Sequence, residues 1–144
     1  MKLVFTLIFI LSSAAFAALL DMPLGGKLPV DTKTWDVQSL KKVPGSHSMI
    51  FIHKKHKDLK GLVFDGNIKG EGLCDPKSTS KSWKTCVRKV PMGKDLSFQL
   101  LTQRMIGPQT FQTYVLSFNY PSTQDSTYDP ELQKLKKTIE ANHE

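Results

Sequence analysis

The clearest periodicity in the chain lies between Asp95 and Pro121. DLSFQLLTQRM alternates Leu96, Phe98 and Leu100 with polar residues, IGPQ supplies a turn at Gly107 and Pro108, and FQTYVLSFNYP places Tyr114, Leu116, Phe118 and Tyr120 on one face. Period two on both arms of a turn predicts a long antiparallel hairpin, ended by Pro121. Upstream, the run Met49–Ile52 and the run Leu62–Phe64 with Ile68 flank the polar stretch HKKHKDLKG and predict a second hairpin. TKTWDVQSL, from Thr32 to Leu40, reads as a first strand closed by Pro44 and Gly45, and CVRKVPM as a short strand ended by Pro91. The period changes in the tail DPELQKLKKTIEANHE. Asp129 stands as an N-cap, Pro130 at the first helical position, and Leu132, Leu135 and Ile139 follow at spacings of three and four. A helix of about 12 residues is marginal alone, so its apolar stripe needs a sheet to cover. The expectation is an α+β fold: a single small domain with a mostly antiparallel sheet of four to six strands and a C-terminal amphipathic helix packed on one face.

The first residues form a different kind of pattern. Lys2, an apolar run from Leu3 to Leu11 and the small residues Ala15-Phe16-Ala17 read as a secretory signal peptide cleaved after Ala17. The apolar run is about nine residues, against the roughly 20 that cross a bilayer, and no later segment is longer. Residues 18–31, with Pro23, Pro29 and the pair Gly25-Gly26, read as an extended lead-in without regular structure, and residues 32–144 as the domain. The expected location is exported, in a bacterial periplasm or outside the cell. The absence of an Asn-x-Ser/Thr acceptor favours that over a eukaryotic secretory route. The outline of an antiparallel sheet, a closing long hairpin and a terminal helix resembles several small exported α/β folds, including the PsbP and Mog1 types. The resemblance implies an architecture and no function.

Export changes the reading of the two cysteines. Cys74 and Cys86 are the only ones in 144 residues and have a single intramolecular pairing, so a disulfide is expected. The loop CDPKSTSKSWKTC that it closes carries Lys77, Lys81, Trp83 and Lys84, with Arg88 just beyond, and the formal charge of the chain is +7. A tethered loop has less entropy to lose on binding, and lysines beside a tryptophan suit an anionic ligand. The plainer arrangement weighs more on residue types alone: Trp83 packs inward and the lysines keep the loop soluble. A second basic stretch, His53 to Lys60, holds Lys54, Lys55, Lys57 and Lys60 against Asp58, and at a hairpin tip it would discourage edge pairing.

Chemistry narrows the choice further. His47, His53 and His56 fall in one window, but a metal site needs further ligands and Asp58 is a weak one, so solvated turn histidines are expected and no cofactor. No Gly-x-Ser-x-Gly elbow, His-Glu-x-x-His or phosphate loop is present, and Ser46-His47-Ser48 are neighbours whose side chains diverge on a strand. Nucleic acid is excluded as a partner by export and by the lack of any recognition motif. The reading is therefore an exported soluble binding or accessory module, engaging an anionic surface such as a lipid head group or acidic glycan, or a protein, through Lys77, Lys81, Trp83, Lys84 and Arg88. The alternatives are an exported hydrolase or metal-dependent enzyme with a site near His47, His53 and His56, and an assembly component that pairs by a sheet edge.

Overall fold

The structure is a computed structural model that describes residues 17–21, 27–39, 49–70, 74 and 82–141. The long hairpin is its spine. Asp95–Gly107 and Thr110–Pro121 pair antiparallel over their whole length, and the turn between them puts Gln109 at φ 50 after Pro108. Proline followed by a left-handed residue is the pattern of a type II turn. In chain order the strands are β1 (Ala17–Asp21), β2 (Lys27–Asp31), β3 (Trp35–Ser39), β4 (Met49–His53), β5 (Lys60–Lys69), β6 (Lys84–Met92), β7 (Asp95–Gly107) and β8 (Thr110–Pro121). A 3₁₀ turn, Ser122–Gln124, leads into α1, Asp125–Ala141.

β3 to β8 form one antiparallel sheet in the order β3-β4-β5-β8-β7-β6, and β1 pairs with β2 separately. The protein is thus an α+β domain with a six-stranded antiparallel sheet and one C-terminal helix. The alternation seen in the sequence decides the faces. Phe98, Leu100, Tyr114, Leu116, Phe118 and Tyr120 are buried, as are Phe51, Val63 and Trp35, and they meet Tyr128, Leu132, Leu135 and Ile139 of α1 in one core. At Gly61 the backbone and the Phe118 ring come so close that no side chain fits between them.

Three expectations need correction. Residues 18–31 are not without regular structure: β1 and β2 make a hairpin, and Leu28 and Val30 of β2 are buried in the main core, with β2 against α1. Pro29 is tolerated there because a two-stranded ribbon leaves alternate N–H positions outside the ladder. The helix also starts earlier than the Asp129-Pro130 signature implies. Asp125 accepts a hydrogen bond from the Tyr120 hydroxyl at 2.7 Å and Lys89 bridges Asp125 and Asp129, so the first turn forms upstream and Pro130 lies inside the helix. Likewise Pro91 does not end β6, which continues to Met92. β6 is the last strand of the sheet, where a missing N–H leaves no partner unpaired.

β8 and β7 separate β5 from β6 in the sheet, and the disulfide joins Cys74, which lies between β5 and β6 in sequence, to Cys86 of β6. Cys74 bonds to Cys86 with 5.5 Å between the Cα atoms, and the Cys74 sulfur lies 3.8 Å from the Leu101 carbonyl oxygen on β7. Among the described residues no helix is long and apolar enough to cross a membrane.

Candidate functional site: the outer face of the sheet

A strand presents alternate residues to opposite faces, so the sheet has a second side away from α1. Across it the register aligns Arg88 (β6), Gln99 (β7), Ser117 (β8), Leu62 (β5), Ile50 (β4) and Gln38 (β3) in one row. The next row runs Cys86, Leu101, Val115 and Phe64. Leu62 is 40% exposed and Phe64 54%, beside half-buried Ile50, Ile52 and Val115. The centre of this face is an apolar stripe. Lys60 stands two residues from Leu62 on the same side, about 7 Å along the strand, and Arg88 lies three strands away, about 14 Å. Lys84, two residues before Cys86, shares the side of Arg88.

Beside the stripe opens a groove of about 460 Å³, bounded by Asp36, Gln38, Ile52, Lys54, Lys57 and Lys60. Its shape is set by His53. That ring is 2% exposed, and its Nδ1 accepts the backbone N–H groups of Lys55 at 3.2 Å and His56 at 3.0 Å. Nδ1 is therefore the unprotonated nitrogen, and Nε2–H donates to the Glu131 carboxylate of α1 at 3.0 Å. One imidazole folds the lysine turn and ties it to the helix. The hydrogen bond from His53, with a smaller contribution from Lys134, holds Glu131 below the usual carboxylate range. His53 is thus no solvated turn histidine, and with both nitrogens engaged it has none to offer a metal. His47 lies outside the described residues. Among those described, no group of three potential ligands comes together.

The residues of the disulfide loop separate. Trp83 turns to the helix side: its ring stacks on Tyr114 with 5.1 Å between centroids, and the Arg104 guanidinium lies 4.7 Å over it. Lys84 and Arg88 face the other way and are exposed. Lys77 and Lys81 lie outside the described residues. Alternation is the signal available in the sequence, since Trp83, odd-numbered and just before β6, diverges from the even-numbered Lys84 and Arg88 on it.

Charge follows the faces in part: among the described residues Lys137 of α1 and Arg104 of β7, on the helix side, form no ion pair, while other cations differ by side. On the helix side Lys89 bridges Asp129 at 2.6 Å and Asp125 at 3.1 Å, Lys134 pairs with Glu131 and Lys136 with Glu140. Burial alone would lower the Lys89 pKa, but Asp129 and Asp125 together raise it. The Tyr120 hydrogen bond, helped by Lys89, lowers Asp125, while burial and that same carboxylate push the Tyr120 hydroxyl well up. Lys54, Lys57, Lys60, Lys84 and Arg88 form no ion pair among the described residues. The outer side therefore collects these cations around an apolar centre, with Asp36 as the one carboxylate among the described residues that bound the groove.

No family model and no curated protein matches the chain. Among solved structures it is similar to the solution structure of cyanobacterial PsbP (CyanoP) from Synechocystis sp. PCC 6803. The identity is 11% and the TM-score 0.42, over 90% of this chain and 92% of that one.

Proposed function

We propose that the chain is an exported binding or accessory module that engages an anionic partner through the outer face of its sheet. The reading rests on one observation: Lys54, Lys57, Lys60, Lys84 and Arg88 gather around the groove and stripe and form no ion pair among the described residues, whereas on the helix side Lys89, Lys134 and Lys136 are paired with Asp125, Asp129, Glu131 and Glu140 and only Lys137 of the helix's lysines is not. Unpaired charge of one sign on one face raises the local concentration of an opposite charge and speeds its encounter. In this reading the disulfide loop has two parts. Trp83 belongs to the core and not to the contact surface, while Lys84 and Arg88 contribute charge, with Lys77 and Lys81 as further candidates from the same loop.

The test uses poly-L-glutamate as a simple polyanion, titrated at low and at physiological salt. The protein as isolated is expected to bind with an affinity that falls steeply with salt. Lys54→Glu with Lys57→Glu and Lys60→Glu should abolish binding, and Lys77→Glu with Lys81→Glu and Lys84→Glu should weaken it. Lys134→Gln, on the helix side, should change nothing. Binding indifferent to salt, or equally reduced by Lys134→Gln, would refute the assignment of the surface.

A further inference from the structure

The outer face is more than basic. We infer that its partner is an anionic lipid surface, against which Leu62 and Phe64 are pressed into the interfacial layer while Lys54, Lys57 and Lys60 receive head-group phosphates in the groove. This deepens the proposed anion-binding reading and rests on it.

Three features lead from an anion in general to an amphiphile. First, the apolar and charged residues are interleaved on one surface. Leu62 and Phe64 are neighbours on β5 and together the most exposed large apolar pair in the sheet interior, with Ile50 directly across from Leu62. Exposed apolar side chains are common singly, but a contiguous set on a strand face marks a contact surface. Second, the groove itself is amphipathic. Ile52 lines it together with three lysines, and Ile52 is two residues from Ile50 on the same side, so the apolar surface continues from the groove into the stripe. A phosphate held by the lysines would have its hydrocarbon beside Ile50, Leu62 and Phe64. Third, the cations suit a diffuse partner. Four of the five are lysines, compact charges on long flexible stems, which match no single fixed carboxylate geometry as an arginine fork does. Lys60 and Arg88 bracket the stripe at a separation of about three strands, a spread that a continuous anionic plane meets at every point. Juxtamembrane cations and inserted apolar side chains act additively at such a surface.

The experiment uses the leader-processed chain isolated from a secreting host, with its N-terminus read by mass spectrometry, so that residues 1–17 do not bind the bilayer themselves. It is co-sedimented with phosphatidylglycerol-containing vesicles and with pure phosphatidylcholine vesicles, and poly-L-glutamate binding is measured alongside. Selective sedimentation with the anionic vesicles is expected. Leu62→Ser with Phe64→Ser should lower that partitioning by about tenfold, from the apolar area withdrawn, and leave poly-L-glutamate binding intact. Lys54→Glu with Lys57→Glu and Lys60→Glu should lower both, the partitioning by at least about a hundredfold, at roughly fivefold per lost cation before the added carboxylates are counted. Phe64→Trp should keep the binding and shift its added emission to the blue on anionic vesicles alone. All three substitution sets lie at exposed or half-exposed positions, and circular dichroism checks that each variant is folded. Poly-L-glutamate binding without vesicle binding would overturn the lipid assignment and point to an acidic protein, leaving the anion-binding reading in place. Equal partitioning of the Leu62→Ser, Phe64→Ser variant would overturn the insertion of the stripe. Failure to bind either probe would overturn both readings.

Discussion

Replacing His53 separates two jobs that one ring performs. In His53→Phe the ring stays roughly the same size beside Trp35, whose ring lies edge-on at 4.9 Å, but the turn loses its acceptor and α1 loses its donor. The N–H groups of Lys55 and His56 are left without the Nδ1 atom that they now share, and Glu131 without its 3.0 Å hydrogen bond. An unsatisfied part-buried N–H costs about 1 kcal/mol at the low end of its range, and a hydrogen bond to a charged group contributes about 1.5 kcal/mol or more. The total is about 3 kcal/mol. For a domain of this size that lowers the melting temperature by about 10 °C. Two further variants apportion the loss. The shorter asparagine side chain would place an amide oxygen near the present position of Nδ1, so His53→Asn should recover the turn and not the helix tie; His53→Gln should reach Glu131 and leave the turn open. Thermal and urea unfolding followed by circular dichroism measures the energies, and hydrogen exchange at the Lys55 and His56 amides reports on the turn alone. Exchange should quicken in His53→Phe and His53→Gln and stay slow in His53→Asn. A loss below about 2 °C in His53→Phe, or unchanged exchange at both amides, would refute the role assigned to the ring.

Other outcomes follow from the same contacts. Cys74→Ser with Cys86→Ser opens a loop whose closure is worth about 3 kcal/mol in the chain-entropy model, so differential scanning calorimetry should show a transition lower by several degrees; an unchanged transition would refute a stabilising clip. Gly61→Ala drives a methyl group against three Phe118 ring carbons, Cε1, Cδ1 and Cζ, in the core, and should cost about 1–3 kcal/mol in urea unfolding, or more if the ring has no room to turn. Acid should destabilise the fold through Glu131 and Asp125: both carboxyls are lowered on folding, so their contribution is complete above the unfolded value, about 4, and is lost as pH falls through the folded values. Glu131→Gln should flatten the loss of stability in that acid range, and an unaltered pH profile would remove His53 from the explanation.

What can be read from the sequence depends on whether local pattern or distant partner decides a residue's place. Leu132, Leu135 and Ile139 announce a helix stripe, and Phe98, Leu100, Tyr114, Leu116, Phe118 and Tyr120 announce a buried face, because in each case the period itself is the physical cause of burial. The helix start escapes the sequence because the capping signature at Asp129 is read alone, while the contacts that win are Tyr120, five residues upstream at the end of β8, and Lys89 on β6, both reaching Asp125. The hairpin of residues 17–31 is obscured by Pro29 and by the Gly25-Gly26 pair, whose turn-forming meaning outweighs the alternation of Leu28 and Val30. His53 reads, among its lysine-rich neighbours, as a solvated residue. Its partner Glu131 is 78 positions away, and no spacing rule links them.

The two basic stretches are separate features of the sequence, and the sheet brings Lys60 of one and Lys84 of the other, with Arg88 just beyond it, to one side. β5 carries Lys60 and sits two strands from β7, which receives Cys74 and the disulfide, and β6 beyond it carries Lys84 and Arg88. The disulfide ties Cys74, beside Leu101 of β7, to Cys86 of β6, the strand that carries Lys84 and Arg88. The clip and the charged face are therefore one arrangement. Opening it threatens the position of Lys84 and Arg88 without touching their charge, whereas the turn that carries Lys54 and Lys57 is held by His53 through the N–H groups of Lys55 and His56. The stability lost on removing the disulfide and the anion affinity lost with it need not scale together: an affinity carried by the groove lysines would survive the loss of the clip as long as the His53 turn stayed folded.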